Sequence, residues 1–139
     1  MMEAGVEIVP VGTAFDFEAA ALVDRYQLVA GTGALEILTS MARTQLHSCF
    51  KNCAFATSIG SDCREVEDLL DDISVGLQAE SEDGFYPTIS SPEFDDNVWI
   101  VIPRSYDTPR LIALSNQPIF ASQVRSWIDR AKMEVAEER

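Results

Sequence analysis

The sequence contains few cysteines, and their number is odd. Cys49, Cys53 and Cys63 are the only three in 139 residues, so a disulfide framework would leave one thiol over. Unpaired thiols are typical of proteins in reducing compartments. We therefore expect reduced cysteines and a cytoplasmic or nuclear protein.

Long apolar runs are also missing. No stretch approaches the roughly 18 apolar residues that cross a bilayer, and no basic residue precedes Arg25. We therefore expect neither a membrane span nor a secretory signal. The chain length and the apolar share of 47% favour a single domain over 1–139 with a core of its own.

Basic residues are scarce, with 10 against 23 acidic ones, and residues 61–100 hold twelve acids and one base. Such a concentration of negative charge repels nucleic acid phosphates and anionic lipids, so we expect no direct binding to nucleic acid or membrane. It speeds the encounter with a basic partner. We predict that a basic or amphipathic protein binds to the carboxylates of Glu65, Glu67, Asp68, Asp71, Asp72, Glu80, Glu82 and Asp83.

The charge pattern has other interpretations. The acidic segment is also typical of a solvated helix face that keeps a protein in solution. The last third of the chain contains bases that either pair with this segment inside the fold or meet it across a homo-oligomer: Arg104, Arg110, Arg125, Arg130 and Lys132.

Motifs for known kinds of catalysis are absent. His47 is the only histidine, and the chain has no Gly-x-Ser-x-Gly elbow and no Gly-Lys-Ser/Thr. Gly31, Thr32 and Gly33 follow a predicted helix and lack the third glycine of a dinucleotide fingerprint, so we predict a helix break there.

The possible metal ligands lack the usual spacing. Cys49 and Cys53 lie four apart on a predicted helix, but no second close pair completes a zinc site, and His47 lies about 200° round that helix from Cys49. Asp95 and its acidic neighbours lack the closing Glu of an EF-hand. We predict buried thiols, a solvated turn, and neither metal nor cofactor.

The fold prediction depends on residues 97–103, where five apolar residues between turn formers indicate a strand buried on both faces. Apolar spacing predicts helices over 13–30, 32–52 and 62–77 and a last helix from Ser122. Further strands are predicted at 6–11, where Pro10 indicates an edge, at 85–90 and at 110–115. Strands clustered in sequence favour an α+β domain with an antiparallel sheet of three to four strands packed against about four helices.

One stretch is slightly similar to a known family. Ile102, Pro103, Tyr106 and Pro109 lie between two predicted strands and before a terminal helix, as in the Pro-x-x-Tyr-Pro-x-x-x-Pro stretch of ubiquitin-conjugating folds and their non-catalytic RWD relatives. The resemblance covers residues 85–139. Asp107 stands where that family has proline, and no cysteine follows position 63. The resemblance therefore implies an RWD-like adaptor and no thioester enzyme.

Our main expectation is a non-enzymatic binding protein of the adaptor, inhibitor, immunity or chaperone kind. A small enzyme is a second hypothesis, with a site assembled in space from His47, Asp95, Arg104 and Tyr106. A structural subunit of a larger assembly, such as a viral or phage component, is a third.

Overall fold

The computed structural model of the chain describes residues 7–80, 86–94 and 110–138, with side chains at all of these positions except 80 and 131–138. The described residues form five strands and five helices. The order is β1 (Glu7–Val11), α1 (Ala14–Ala21), β2 (Tyr26–Ala30), α2 (Ala34–Thr39), α3 (Arg43–Phe50), β3 (Cys53–Ile59), α4 (Cys63–Glu80), β4 (Thr88–Ser91), β5 (Arg110–Leu114) and α5 (Phe120–Glu138).

The five described strands form one sheet in the order β1-β5-β2-β3-β4, and every neighbouring pair is parallel. The predicted antiparallel sheet of three to four strands is therefore wrong. Both sides of β5 are occupied by parallel neighbours, β1 on one side and β2 on the other. Parallel strands need crossover connections, and helices α1 to α4 provide those that lead from β1 through β2 and β3 to β4.

The error came from β2 and β3. The apolar spacing around Tyr26 and Ala30 predicted one long helix, but α1 ends at Ala21 and Tyr26–Ala30 is a strand whose five residues are all buried. The predicted helix over 32–52 is also two short helices followed by β3. A parallel strand covered on both faces has no polar alternation, so sequence periodicity does not separate it from a buried helix.

Other elements agree with their predictions. The strand β1 lies at one edge of the sheet, as Pro10 indicated. The Thr13 side chain caps α1, because its Oγ1 accepts a hydrogen bond of 3.0 Å from Asp16 N. The strand β5 and the amphipathic helix α4 form where expected, although α4 continues past Gly76 to Glu80. The predicted strand over 97–103 lies outside the described residues.

The sheet separates two cores. On one face, helices α1 to α4 cover the sheet residues Leu28, Ala56, Ile112 and Leu114. Three aromatic rings pack together in this core, and the centroid of the Phe50 ring lies 5.6 Å from that of Phe17 and 5.4 Å from that of Tyr86. On the other face, α5 packs Phe120, Val124, Trp127 and Ile128 against the alternate sheet residues. None of the described helices is both long enough and apolar enough to cross a membrane.

Candidate functional site

The predicted partner-binding carboxylates do not form one surface. Glu65, Asp68 and Asp72 lie exposed on α4 at three- and four-residue spacing, and we call them the acidic row. Glu67 and Asp71 face the strand β4 instead. Glu82 and Asp83, and the side chain of Glu80, lie outside the described residues.

Glu67 and Asp71 hold the edge of the sheet. Ser90 Oγ donates to Glu67 Oε1 at 2.8 Å, and Thr88 Oγ1 donates to Asp71 Oδ1 at 2.5 Å. Both hydroxyls belong to β4, the last strand of the sheet. Because these carboxylates are engaged within the chain, they are structural, and the acidic row is what α4 offers to a partner.

A groove lies between α3 and α4, beside the acidic row. It encloses about 550 Å³, and we call it the α3–α4 groove. Its apolar floor is formed by Leu46, Leu69 and Ile73, and Val75 stands on its rim with 65% of its surface exposed. Asp72 lines it from α4. The groove therefore combines an apolar base with a negative charge on one side.

The opposite wall of the groove carries the basic side chains Arg43 and His47 from α3. Gly76 faces them, and a Cβ atom there would lie 2.9 Å from His47 Nε2. The missing side chain thus lets α3 and α4 pack closely against each other at Gly76, beside the open groove. A glycine inside a helix lowers the stability by about 1 kcal/mol relative to alanine. The close approach of α3 and α4 is a physical reason for a glycine at position 76 despite this loss.

His47 is the only member of the hypothetical catalytic set that the structure describes. Asp95, Arg104 and Tyr106 lie outside the described residues. Arg110, another of the predicted pairing bases, is the first residue of β5, at the amino end of the parallel strands. It pairs with Glu7 at 3.7 Å and donates to the carbonyl oxygen of Ala20 at 2.6 Å, at the end of α1.

The three cysteines are free and buried. Cys49 belongs to α3 and Cys53 begins β3, so the prediction that both lie on one helix is wrong. Burial raises the pKa of the Cys49 thiol to about 11 and that of the Cys53 thiol to about 12. Such thiols stay protonated at neutral pH, which makes them poor nucleophiles and poor metal ligands. Within the described part of the chain, no three His, Cys, Asp or Glu side chains gather as a metal site.

The sequence predicted a helix break at Gly31, Thr32 and Gly33, and this prediction is wrong. They form the turn between β2 and α2, at the carboxyl edge of the parallel sheet, and Gly33 has a φ of 89°. Ligands of open α/β sheets bind at this edge. Sequence reasoning missed the position because β2 was taken for a helix; the available signal was the mostly apolar segment Tyr26–Ala30 directly before Gly31.

No protein family model, curated protein or solved structure matches the chain. The stretch from Ile102 to Pro109, which carries the similarity to RWD domains, lies outside the described residues. Function therefore has to be inferred from the α3–α4 groove and from the carboxyl edge.

Proposed function

We propose that the chain is a protein-binding domain that takes an amphipathic, basic helix of its partner into the α3–α4 groove. The observation that carries this proposal is the groove itself, about 550 Å³ of space with an apolar floor next to an exposed row of carboxylates. Helix-in-groove recognition places apolar side chains in such a floor and polar ones on its rims.

The carboxylates of α4 beside the groove favour a basic partner. Among the described residues, the Asp68 and Asp72 side chains have neither a hydrogen bond nor an ion pair, and they lie one helical turn apart. A partner helix with Lys or Arg at the same spacing would neutralise both, and the net charge of −13 would attract it from a distance. Arg43 on the other wall supports a fixed orientation, with the basic flank of the helix toward α4.

The apolar contribution comes from the floor and from Val75. Leu69 is half-buried and Val75 is mostly exposed, so both still have apolar area that a partner side chain can cover. Each square ångström of covered apolar surface contributes about 25 cal/mol. The free cysteines support a reducing compartment such as the cytoplasm as the place of this encounter.

The test uses a labelled helical peptide of about five turns, with Leu on one face and Lys on the flanks, and a copy with Glu in place of Lys. Fluorescence anisotropy should show binding of the Lys peptide that weakens as salt rises, and no binding of the Glu peptide. Equal binding of the two peptides would contradict the proposal, and so would self-association of the chain that buries the groove.

Matched variants locate the site. Asp72→Lys should weaken binding of the Lys peptide roughly tenfold, about 1.4 kcal/mol, whereas Glu93→Lys, an equal charge change on an exposed residue after β4, should alter it less than about twofold. Val75→Ser should also weaken binding, and its control is Val23→Ser, because Val23 is 75% exposed after α1. Equal effects within either pair would refute the location.

A further inference from the structure

The sheet has a topological switch point at β5. The chain leaves β1 toward the face that carries α1, and it leaves the neighbouring strand β5 toward the opposite face, which carries α5. Parallel neighbours whose following segments diverge in this way leave a crevice between their carboxyl ends, and open α/β sheets bind ligands in such crevices.

The crevice on the other side of β5 is closed. The carbonyl oxygen of Thr32 accepts hydrogen bonds from Asn116 N at 3.0 Å and from Ser115 Oγ at 2.7 Å, which joins the turns after β2 and β5. The Phe120 ring lies so close to Gly31 that a Cβ there would be 2.3 Å from it, and the Asn116 side chain fills the same position over Gly33. Of the two crevices beside β5, the one between β1 and β5 therefore remains open in the part of the chain that the structure describes.

This β1–β5 crevice encloses about 230 Å³, roughly the volume of eight water molecules in the liquid. Its described lining carries no charged side chain. Pro10, Pro118 and Phe120 supply apolar walls, and the exposed Gln117 contributes a carboxamide-bearing side chain to the lining, whereas the Asn116 carboxamide lies over Gly33. The Ser115 hydroxyl is already engaged, since it donates to Thr32 O and accepts from Gln117 N at 3.1 Å.

We propose that the β1–β5 crevice binds a small uncharged ring that carries both a hydrogen-bond donor and an acceptor, such as a carboxamide-bearing heterocycle or a nucleobase. The Gln117 carboxamide offers one acceptor and two donors, so it can pair with the adjacent donor and acceptor at the edge of such a ring. The prolines and the phenylalanine cover its faces. Anions are disfavoured, because none of the described lining residues is basic and the protein is strongly acidic. This site is separate from the α3–α4 groove and does not depend on it.

The test is a titration of the ¹⁵N-labelled chain followed by NMR. The probes are nicotinamide, adenine and uracil, with benzene and benzoate as apolar and anionic controls. For ligands of this size we expect a dissociation constant on the order of 1 mM, with shifts of the Gly12 and Gln117 amides by the three neutral polar probes. Benzene or benzoate binding as tightly would overturn the proposed ligand class, and shifts centred on Gly76 would overturn the site.

Two variants complete the test. Gln117→Leu removes one carboxamide and should weaken binding of the neutral probes at least about fivefold, while the matched control Gln123→Leu on the exposed side of α5 should leave it unchanged. Ala121→Trp should fill the crevice and abolish binding. An unchanged dissociation constant in both Gln117→Leu and Ala121→Trp would refute the proposal, and so would the absence of shifts with every probe.

Discussion

The two pairs of acidic residues on α4 should differ in their effect on stability. Glu67 and Asp71 lie four residues apart and accept hydrogen bonds from β4, whereas Asp68 and Asp72 lie four apart and accept none among the described residues. Replacing either pair by alanine removes two charges and relieves one like-charge contact at four-residue spacing, so a difference between the variants reports mainly the bonds to β4.

The magnitude follows from the contacts. Thr88 has one hydroxyl proton, and it donates this proton to Asp71 Oδ1 at 2.5 Å rather than to Glu67 Oε2 at 3.4 Å. Replacing Glu67 and Asp71 therefore removes two hydrogen bonds, one from Thr88 and one from Ser90. Each hydrogen bond contributes about 1 kcal/mol to the free energy of unfolding at this partial exposure. The repulsion that the substitutions relieve offsets a few tenths of a kcal/mol of the total loss. Glu67→Ala/Asp71→Ala should therefore lower the free energy of unfolding by about 1.5 kcal/mol, and Asp68→Ala/Asp72→Ala should change it by less than about 0.5 kcal/mol.

Urea unfolding followed by circular dichroism measures both changes. A lower midpoint for the Glu67/Asp71 variant alone, with unchanged slope, is the expected result. Equal losses in the two variants would refute the division of α4 into a structural side and an exposed acidic row. So would a loss below about 0.5 kcal/mol in the Glu67/Asp71 variant.

Three further predictions concern the core and the carboxyl edge. Thr57 Oγ1 is buried and has no hydrogen-bond partner among the described residues, so Thr57→Val should raise the free energy of unfolding by about 1 kcal/mol; a loss in urea unfolding would contradict this. Gly33→Ala places a Cβ 2.3 Å from the Asn116 side chain at a φ of 89°, and should lower the unfolding free energy by about 2 kcal/mol or more, with a thermal midpoint equal to the wild type as the contradicting result. Because burial raises the pKa of Cys49 to about 11 and of Cys53 to about 12, the unfolded chain alone loses these protons from pH 9.0 upward. Stability should then be complete below pH 9.0 and fall above it by up to about 1.4 kcal/mol per pH unit for each thiol, and a slope unchanged in Cys53→Ala would refute the assignment.

The sequence predicted best the elements that are buried on one side. Val66, Leu70, Ile73 and Leu77 repeat at helical spacing because one face of α4 meets the sheet and the other meets solvent. Strand β2 has no such asymmetry, since all of its residues from Tyr26 to Ala30 are buried. Its apolar residues therefore fitted a helix as well as a strand, and the parallel topology was lost with them.

The candidate sites were predictable only in part. The acidic residues of α4 could be named from the sequence, but which of them face β4 depends on the hydroxyls of Thr88 and Ser90, and the sequence does not show that these come into contact. The α3–α4 groove depends on how two helices pack, and Gly76 was its only local signal. Gly31 and Gly33 were noticed, but their place at the carboxyl edge follows from the strand before them.

The most direct test of the proposed function is an NMR titration that maps which residues of the chain a partner helix contacts. Titration of the ¹⁵N-labelled protein with the Leu/Lys peptide should shift the amide signals of Val75, Gly76 and Ala79, which line the groove, and leave that of Gly12 at the β1–β5 crevice unchanged. Shifts that avoid these α4 residues, or the absence of any shift at peptide concentrations that saturate the anisotropy signal, would contradict the account.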